Sequence, residues 1–114
     1  MIVEERIYTI QIGKLAEYVG RYEKEGLAIQ VPILGRLVGY FTTDIGELNQ
    51  VVHLWAYKDL NERAERRKSL WANEAWCNYI KHGGNLVLKQ ENKILIPAPF
   101  SPWANDDPSL DMAR

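Results

Sequence analysis

The residues of this 114-residue chain that can do chemistry are few: two histidines, one cysteine, and the rings of four Trp, six Tyr and two Phe. His53 stands out among them. It lies in the run Asn49-Gln50-Val51-Val52-His53-Leu54-Trp55-Ala56-Tyr57, and a neutral imidazole there can accept a proton near pH 7. A second run, Arg36 to Ile45, precedes it. Gly46-Glu47 between them has the form of a two-residue type II′ turn, with glycine first. That turn sets Ile45 opposite Leu48, Thr42 opposite Val51, Tyr40 opposite His53 and Val38 opposite Trp55. Tyr40 is thereby placed to supply or orient a proton on His53.

Period-two alternation sorts this hairpin into two faces. Leu37, Gly39, Phe41, Thr43, Leu48, Gln50, Val52, Leu54 and Ala56 make an ordinary core face. The other face carries Arg36, Val38, Tyr40, Thr42, Asp44, Asn49, Val51, His53, Trp55 and Tyr57. It is too polar for a plain core and too aromatic for open water, which is the make-up of a ligand cavity or an interface. The expected site therefore has His53 and Tyr40 as its chemical groups, with Trp55, Val51, Val38, Thr42, Asn49 and Tyr57 as the binding wall. The competing reading keeps the same placement without function: His53 satisfied by Tyr40 or by backbone, the aromatics as packing, and Asn49 and Asp44 bonding locally at the turn.

The elements that must hold this hairpin follow from spacing. Ile2 to Ile12 reads as a strand with apolar groups on both faces. From Lys14 to about Gln30, Leu15, Tyr18, Val19 and Tyr22 form the stripe of an amphipathic helix, which Pro32 and Gly35 are expected to end. Asp59 with Glu62 reads as a capped helix start running to Trp71. Asn73 caps a short helix bearing Trp76, Tyr79 and Ile80, closed by His82-Gly83-Gly84, and Leu86 to Ile96 is a last strand. The order βαββαβ predicts an α+β, ferredoxin-like sheet with its helices on one face. One domain over residues 1–103 and a loose tail over 104–114 are expected, with Phe100 and Trp103 docking as an aromatic arm.

Composition and motifs bound the rest. With 14 basic against 15 acidic residues and a net charge of −1, the chain lacks the basic excess of a nucleic-acid binder. The run Arg63, Arg66, Arg67, Lys68, interleaved with Glu62 and Glu65, reads as a solvated helix face. No close-spaced His or Cys ligand pair occurs, so no metal and no cofactor is expected. Cys77, beside Trp76 and without a basic neighbour, is expected to be a buried inert thiol. Gly83-Gly84 follows a helix, so it is not a phosphate loop. No apolar stretch is long enough to span a bilayer, and the first residues do not resemble an export signal, so the expected setting is the cytoplasm.

With these elements in place, Asn49-Gln50-Val51-Val52-His53-Leu54-Trp55-Ala56-Tyr57 resembles a segment of the NIPSNAP family. Asp59-Leu60 with Arg63, Glu74-Ala75-Trp76, and Gln90-Glu91-Asn92-Lys93-Ile94-Leu95 with Pro97 extend the likeness over Ile2 to Pro102. Val31-Pro32 and Trp71 depart from the family's usual pattern and make the region after the first helix more apolar. The resemblance implies a dimeric α/β barrel, in which two ferredoxin-like sheets pair face to face. That superfamily includes cofactor-independent oxygenases, lactone isomerases and cyclases beside proteins without assigned activity. The expectation is a homodimer with a pocket for a small aromatic or cyclic metabolite, either an enzyme working without metal or cofactor or a binding or interaction module.

Overall fold

A computed structural model describes residues 1–102; Trp103 and the tail expected from Ala104 onward lie outside them. The elements are β1 (Ile2–Ile10), α1 (Leu15–Arg21), a π-helical turn (Tyr22–Gly26), α2 (Leu27–Leu34), β2 (Arg36–Thr42), β3 (Gln50–Tyr57), α3 (Leu60–Ala72), α4 (Glu74–Lys81) and β4 (Val87–Leu95). All neighbouring strands are antiparallel, in the order β2-β3-β1-β4, which is the ferredoxin-like α+β arrangement. None of the described helices is long and apolar enough to cross a membrane.

Local chemistry starts the helices of the second half. The Asp59 carboxylate accepts from Glu62 N at 2.8 Å, and Glu62 accepts in turn from Lys58 N at 3.0 Å, a capping box shifted by one residue. Asn73 Oδ1 accepts from Trp76 N at 2.9 Å and starts α4. The first helix departs from expectation. It does not stop before Pro32 but carries that residue in its last turn and ends at Gly35, whose φ is +98°. The ring lacks the N–H that would bond the carbonyl four residues back, so one helical hydrogen bond is given up near the end of the helix.

The π-helical turn explains how this long helix keeps one face. Tyr18, Tyr22, Gly26, Gln30 and Leu34 are spaced by four. In a regular α-helix each step of four overshoots a full turn by about 40°, so the stripe would wander round the helix. A wider turn in the middle winds the stripe back. Tyr22, Gly26, Gln30 and Leu34 are accordingly all buried, and the Tyr22 hydroxyl donates to Gln30 Oε1 at 2.6 Å.

The hairpin keeps the expected register near the site but not its turn. Tyr40 pairs with His53 and Thr42 with Val51. Pairing stops at Thr43, whose N–H reaches Gln50 O at 3.2 Å, and residues 44–49 form an open loop rather than a two-residue turn. Gly46 and Asn49 hold positive φ there. The loop opens symmetrically about Gly46-Glu47, so the register survives. A bulge after Leu37 puts Leu37, not Val38, opposite Trp55.

The two hairpin faces are also exchanged relative to expectation. The helices pack on the His53 side, where Val51, Trp55 and Tyr57 are fully buried beside Leu34, Leu70 and Trp76. From Gly39 onward the face expected to be ordinary core is turned away from the helices, and Phe41 on it is 57% exposed, whereas Leu37, before the bulge, stays in the core as expected. Trp55, Tyr57, Leu34 and Leu70 each contribute roughly 1.5–3 kcal/mol by leaving water.

Candidate functional site

A column of rings crosses from helix to sheet. Tyr22 stacks on Tyr40, and Tyr40 on His53, each with centroids 4.8 Å apart and planes at 19°. Tyr8 of β1 closes the column edge-on to His53 at 4.8 Å. β1 and β2 flank β3, so antiparallel register delivers both tyrosines to the imidazole, with Arg6 as its direct partner on β1.

The hydrogen bond at His53 defines its chemistry. Trp55 Nε1 donates to His53 Nδ1 at 2.7 Å. A neutral ring whose Nδ1 accepts must carry its proton on Nε2. That Nε2 is buried and has no partner among the described residues. Burial, with the charge of Arg6 adding to it, lowers the ring's pKa to about 3, so the neutral form prevails at ordinary pH. In this arrangement His53 presents a donor, while the lone pair a general base would use is taken by the indole. Burial likewise pushes the phenols of Tyr18, Tyr22 and Tyr40 upward, leaving them as neutral hydroxyls.

Below the column lies a charge cluster that sequence reasoning missed. Glu4 is fully buried, and its Oε2 accepts from Arg63 Nη2 at 2.8 Å, Asn92 Nδ2 at 2.9 Å and Arg6 Nη1 at 3.0 Å. Burial alone would raise the Glu4 pKa, but the bonds from Arg63 and Asn92 and the two guanidinium charges overcome it and hold the carboxyl at about 2. Arg6 also donates from Nε to the Tyr8 hydroxyl at 3.0 Å. An acid-acid-base triplet, Glu4-Glu5-Arg6, inside an apolar strand was the available signal, because a charge on a covered strand must be paired.

The basic run on α3 is correspondingly less solvated than expected. Arg63 pairs with Glu4, and Arg66 donates to Ile33 O at 3.1 Å. Arg67 faces a cavity of about 290 Å³ between helices and sheet. Tyr8, Tyr18, Tyr22, Tyr40, Trp71 and Trp76 give this cavity aromatic walls, while His53, Arg6, Arg67, Gln30 and Gln90 supply polar groups.

Of the expected site residues, only His53 and Tyr40 line that cavity. Trp55, Val51 and Tyr57 share the face but lie sealed in the core; Trp55 acts behind His53, as its donor. Val38 is displaced by the bulge, Thr42 is exposed at the strand end, and Asn49 is a loop residue whose carbonyl accepts from Ile10 N at 2.7 Å. Cys77 is exposed rather than buried, since α4 turns Trp76 and Tyr79 inward. Phe100 is 91% exposed, so it docks in no groove among the described residues, and Trp103 lies outside them. Tyr18 and Tyr22 stand in the helical stripe, and nothing in their spacing distinguishes a cavity wall from a core.

A family model described as NIPSNAP matches residues 3–102. Protein NipSnap homolog 2 of Danio rerio is 34% identical over 101 residues, which is 89% of this chain and 35% of that protein. Protein NipSnap homolog 1 of the same organism is 48% identical over 65 residues, 57% of this chain and 23% of that one. The chain thus spans about a third or less of these curated relatives. Among solved structures, a NIPSNAP family protein from Agrobacterium tumefaciens is 52% identical with a TM-score of 0.87, covering 90% of this chain and 97% of that one. An antibiotic biosynthesis monooxygenase is 12% identical with a TM-score of 0.58, covering 87% of this chain and 100% of its own. That second likeness is one of fold alone.

Proposed function

The chain belongs to the NIPSNAP family, and for this member we propose binding of a small cyclic or aromatic metabolite in the cavity between helices and sheet. One observation carries the reading: a cavity of about 290 Å³ walled by aromatic rings is lined by His53, whose buried Nε2 has no partner among the described residues. Aromatic walls with a few fixed polar groups are the ordinary composition of a ligand site. A buried donor left unmatched costs about 1–3 kcal/mol, which an acceptor on a ligand would recover.

The chemistry on offer is donation. His53 Nε2–H, with neutral tyrosine hydroxyls around it, is suited to hold a ligand oxygen and to stabilise negative charge developing on it. An enzymatic role for this pocket would use His53 in that way, with Tyr40 stacked on the ring to fix its plane. Native mass spectrometry of the freshly purified protein, followed by titration with 2-naphthol monitored by NMR, tests the reading. Shifts gathered at Tyr8, Tyr40, His53 and Trp76 are expected; shifts scattered over the surface, with no retained small molecule, would overturn it.

The same reading includes a homodimer. Strand alternation puts Ile7, Phe41, Val52 and Leu54 on the face away from the helices, an apolar centre suited to a second sheet. Sedimentation at micromolar concentration should give twice the 13.2 kDa chain mass. A monomer, with or without ligand, would remove the dimer from the proposal.

A further inference from the structure

Among the described residues Glu4 is the one buried carboxylate, and it acts on three guanidinium groups. It is bonded to two of them, Arg6 at 3.0 Å and Arg63 at 2.8 Å. The third, Arg67, makes no hydrogen bond and no ion pair among the described residues, although it lines the cavity. Its own helix cannot relieve this. The neighbours at i±3 and i±4 on α3 are Arg63, Ala64, Leu70 and Trp71, none of them acidic, whereas Arg66 one residue earlier finds Glu62 at 3.8 Å. A half-buried guanidinium without a direct ion-pair partner is costly, and burial together with Arg6 lowers its pKa against the opposing pull of Glu4.

Three residues that line the cavity thus carry unmatched donors among the described residues, Arg67 by its guanidinium, His53 by Nε2–H and Trp76 by Nε1–H, among flat aromatic walls. We infer that the ligand of this pocket is an aromatic carboxylic acid, its carboxylate taken by Arg67 and the Nε2–H of His53 and its ring laid among the tyrosines. The inference rests on the pocket reading above and adds the ligand's charge and head group. A guanidinium offers two parallel N–H groups that match a carboxylate. A carboxylate on a flat ring satisfies Arg67 while its ring fills the aromatic walls, whereas inorganic phosphate has no ring to lay there. Trp71, one turn beyond Arg67 and on the cavity wall, gives the ring a further flat surface.

Calorimetric titration of the full chain with 2-naphthoate and with its neutral isostere 2-naphthamide tests this, in the wild type and in Arg67→Gln and Arg67→Lys. The acid should bind at least about tenfold more tightly than the amide. Arg67→Gln should abolish that preference, leaving acid and amide bound within about twofold of each other, and Arg67→Lys, which keeps the charge without the fork, should retain part of it. Equal affinity for acid and amide in the wild type would overturn the carboxylate assignment and leave the pocket standing. Displacement of 2-naphthoate by equimolar inorganic phosphate would also overturn it. Binding of neither probe would take the pocket reading down with it. Should Arg67→Gln fail to fold, the wild-type comparison and Arg67→Lys still decide.

Discussion

The indole of Trp55 donates to Nδ1 of His53 across 2.7 Å, from two residues along the same strand. Residues two apart on a strand point to one side, so the pair needs no loop and no long-range contact to form. It sets which nitrogen of the imidazole accepts and which carries the proton.

The first expectation concerns that tautomer. Long-range ¹⁵N–¹H NMR should find His53 as the neutral Nε2–H form at pH 8 and still at pH 5, where an ordinary histidine is mostly cationic. Trp55→Phe should release Nδ1 and give a mixture of tautomers. A protonated ring at pH 5 in the wild type would contradict the arrangement.

Stability should fall as solutions become acidic, in two stages. The folded His53 has a pKa of about 3 against 6.5 ordinarily, so below pH 6.5 the unfolded chain takes up a proton that the folded one refuses. Stability is full above 6.5 and declines toward pH 3 by several kcal/mol. Glu4, held at about 2 against 4.5, adds a second decline from about pH 4.5 downward. Urea unfolding at pH 8, 6 and 5 should show the first stage in the wild type and not in His53→Phe.

Removing the charge of Glu4 should be severe. Glu4→Gln leaves Arg6 and Arg63 close together without a counter-charge, at an expected cost of about 3–5 kcal/mol. Adding Arg63→Met should recover part of that loss, and the double-mutant cycle would show coupling. Simple additivity would mean that the 2.8 Å contact contributes little.

Two glycines of the long helix should respond in opposite directions. A Cβ at Gly26 would sit 2.7 Å from Tyr22 Cδ1 and 2.9 Å from Tyr79 Cζ, whereas one at Gly20 meets nothing. Gly26→Ala should cost roughly 1–3 kcal/mol and weaken 2-naphthoate binding by pushing both rings into the cavity. Gly20→Ala should gain roughly 0.5–1 kcal/mol. Chemical denaturation of both variants measures the contrast.

Much of the scaffold was legible in the sequence because local rules govern it. Asp59 and Asn73 announced two helix starts, and the Tyr40–His53 pairing followed from symmetry about Gly46-Glu47. The assignment of faces was not legible, since Val52 and Leu54 on one side look as core-like as Val51 and Trp55 on the other; only the packed helices decide. The Glu4–Arg63 contact joins residues 59 apart, beyond any local pattern. Of the site, His53 and Tyr40 were found on the hairpin, while Tyr8, Tyr18, Tyr22 and Arg67 come from three other elements that converge only in the folded chain.

The π-helical turn at Tyr22–Gly26 also marks where the long helix can give up a residue. Such a turn holds one residue more than regular winding needs; delete one position there and the turn closes to regular winding, while everything downstream keeps its angle to everything upstream. A deletion elsewhere in the helix, with the wide turn left in place, would rotate the downstream part by about 100° and carry Leu34 out of the core. The loop over residues 44–49 is solvent-facing for most of its length and can likewise absorb a change of length. Insertions and deletions carried by other versions of this chain should therefore gather in that loop and at residues 22–26 and spare the regular turns of the helix, a pattern that length variation alone would reveal.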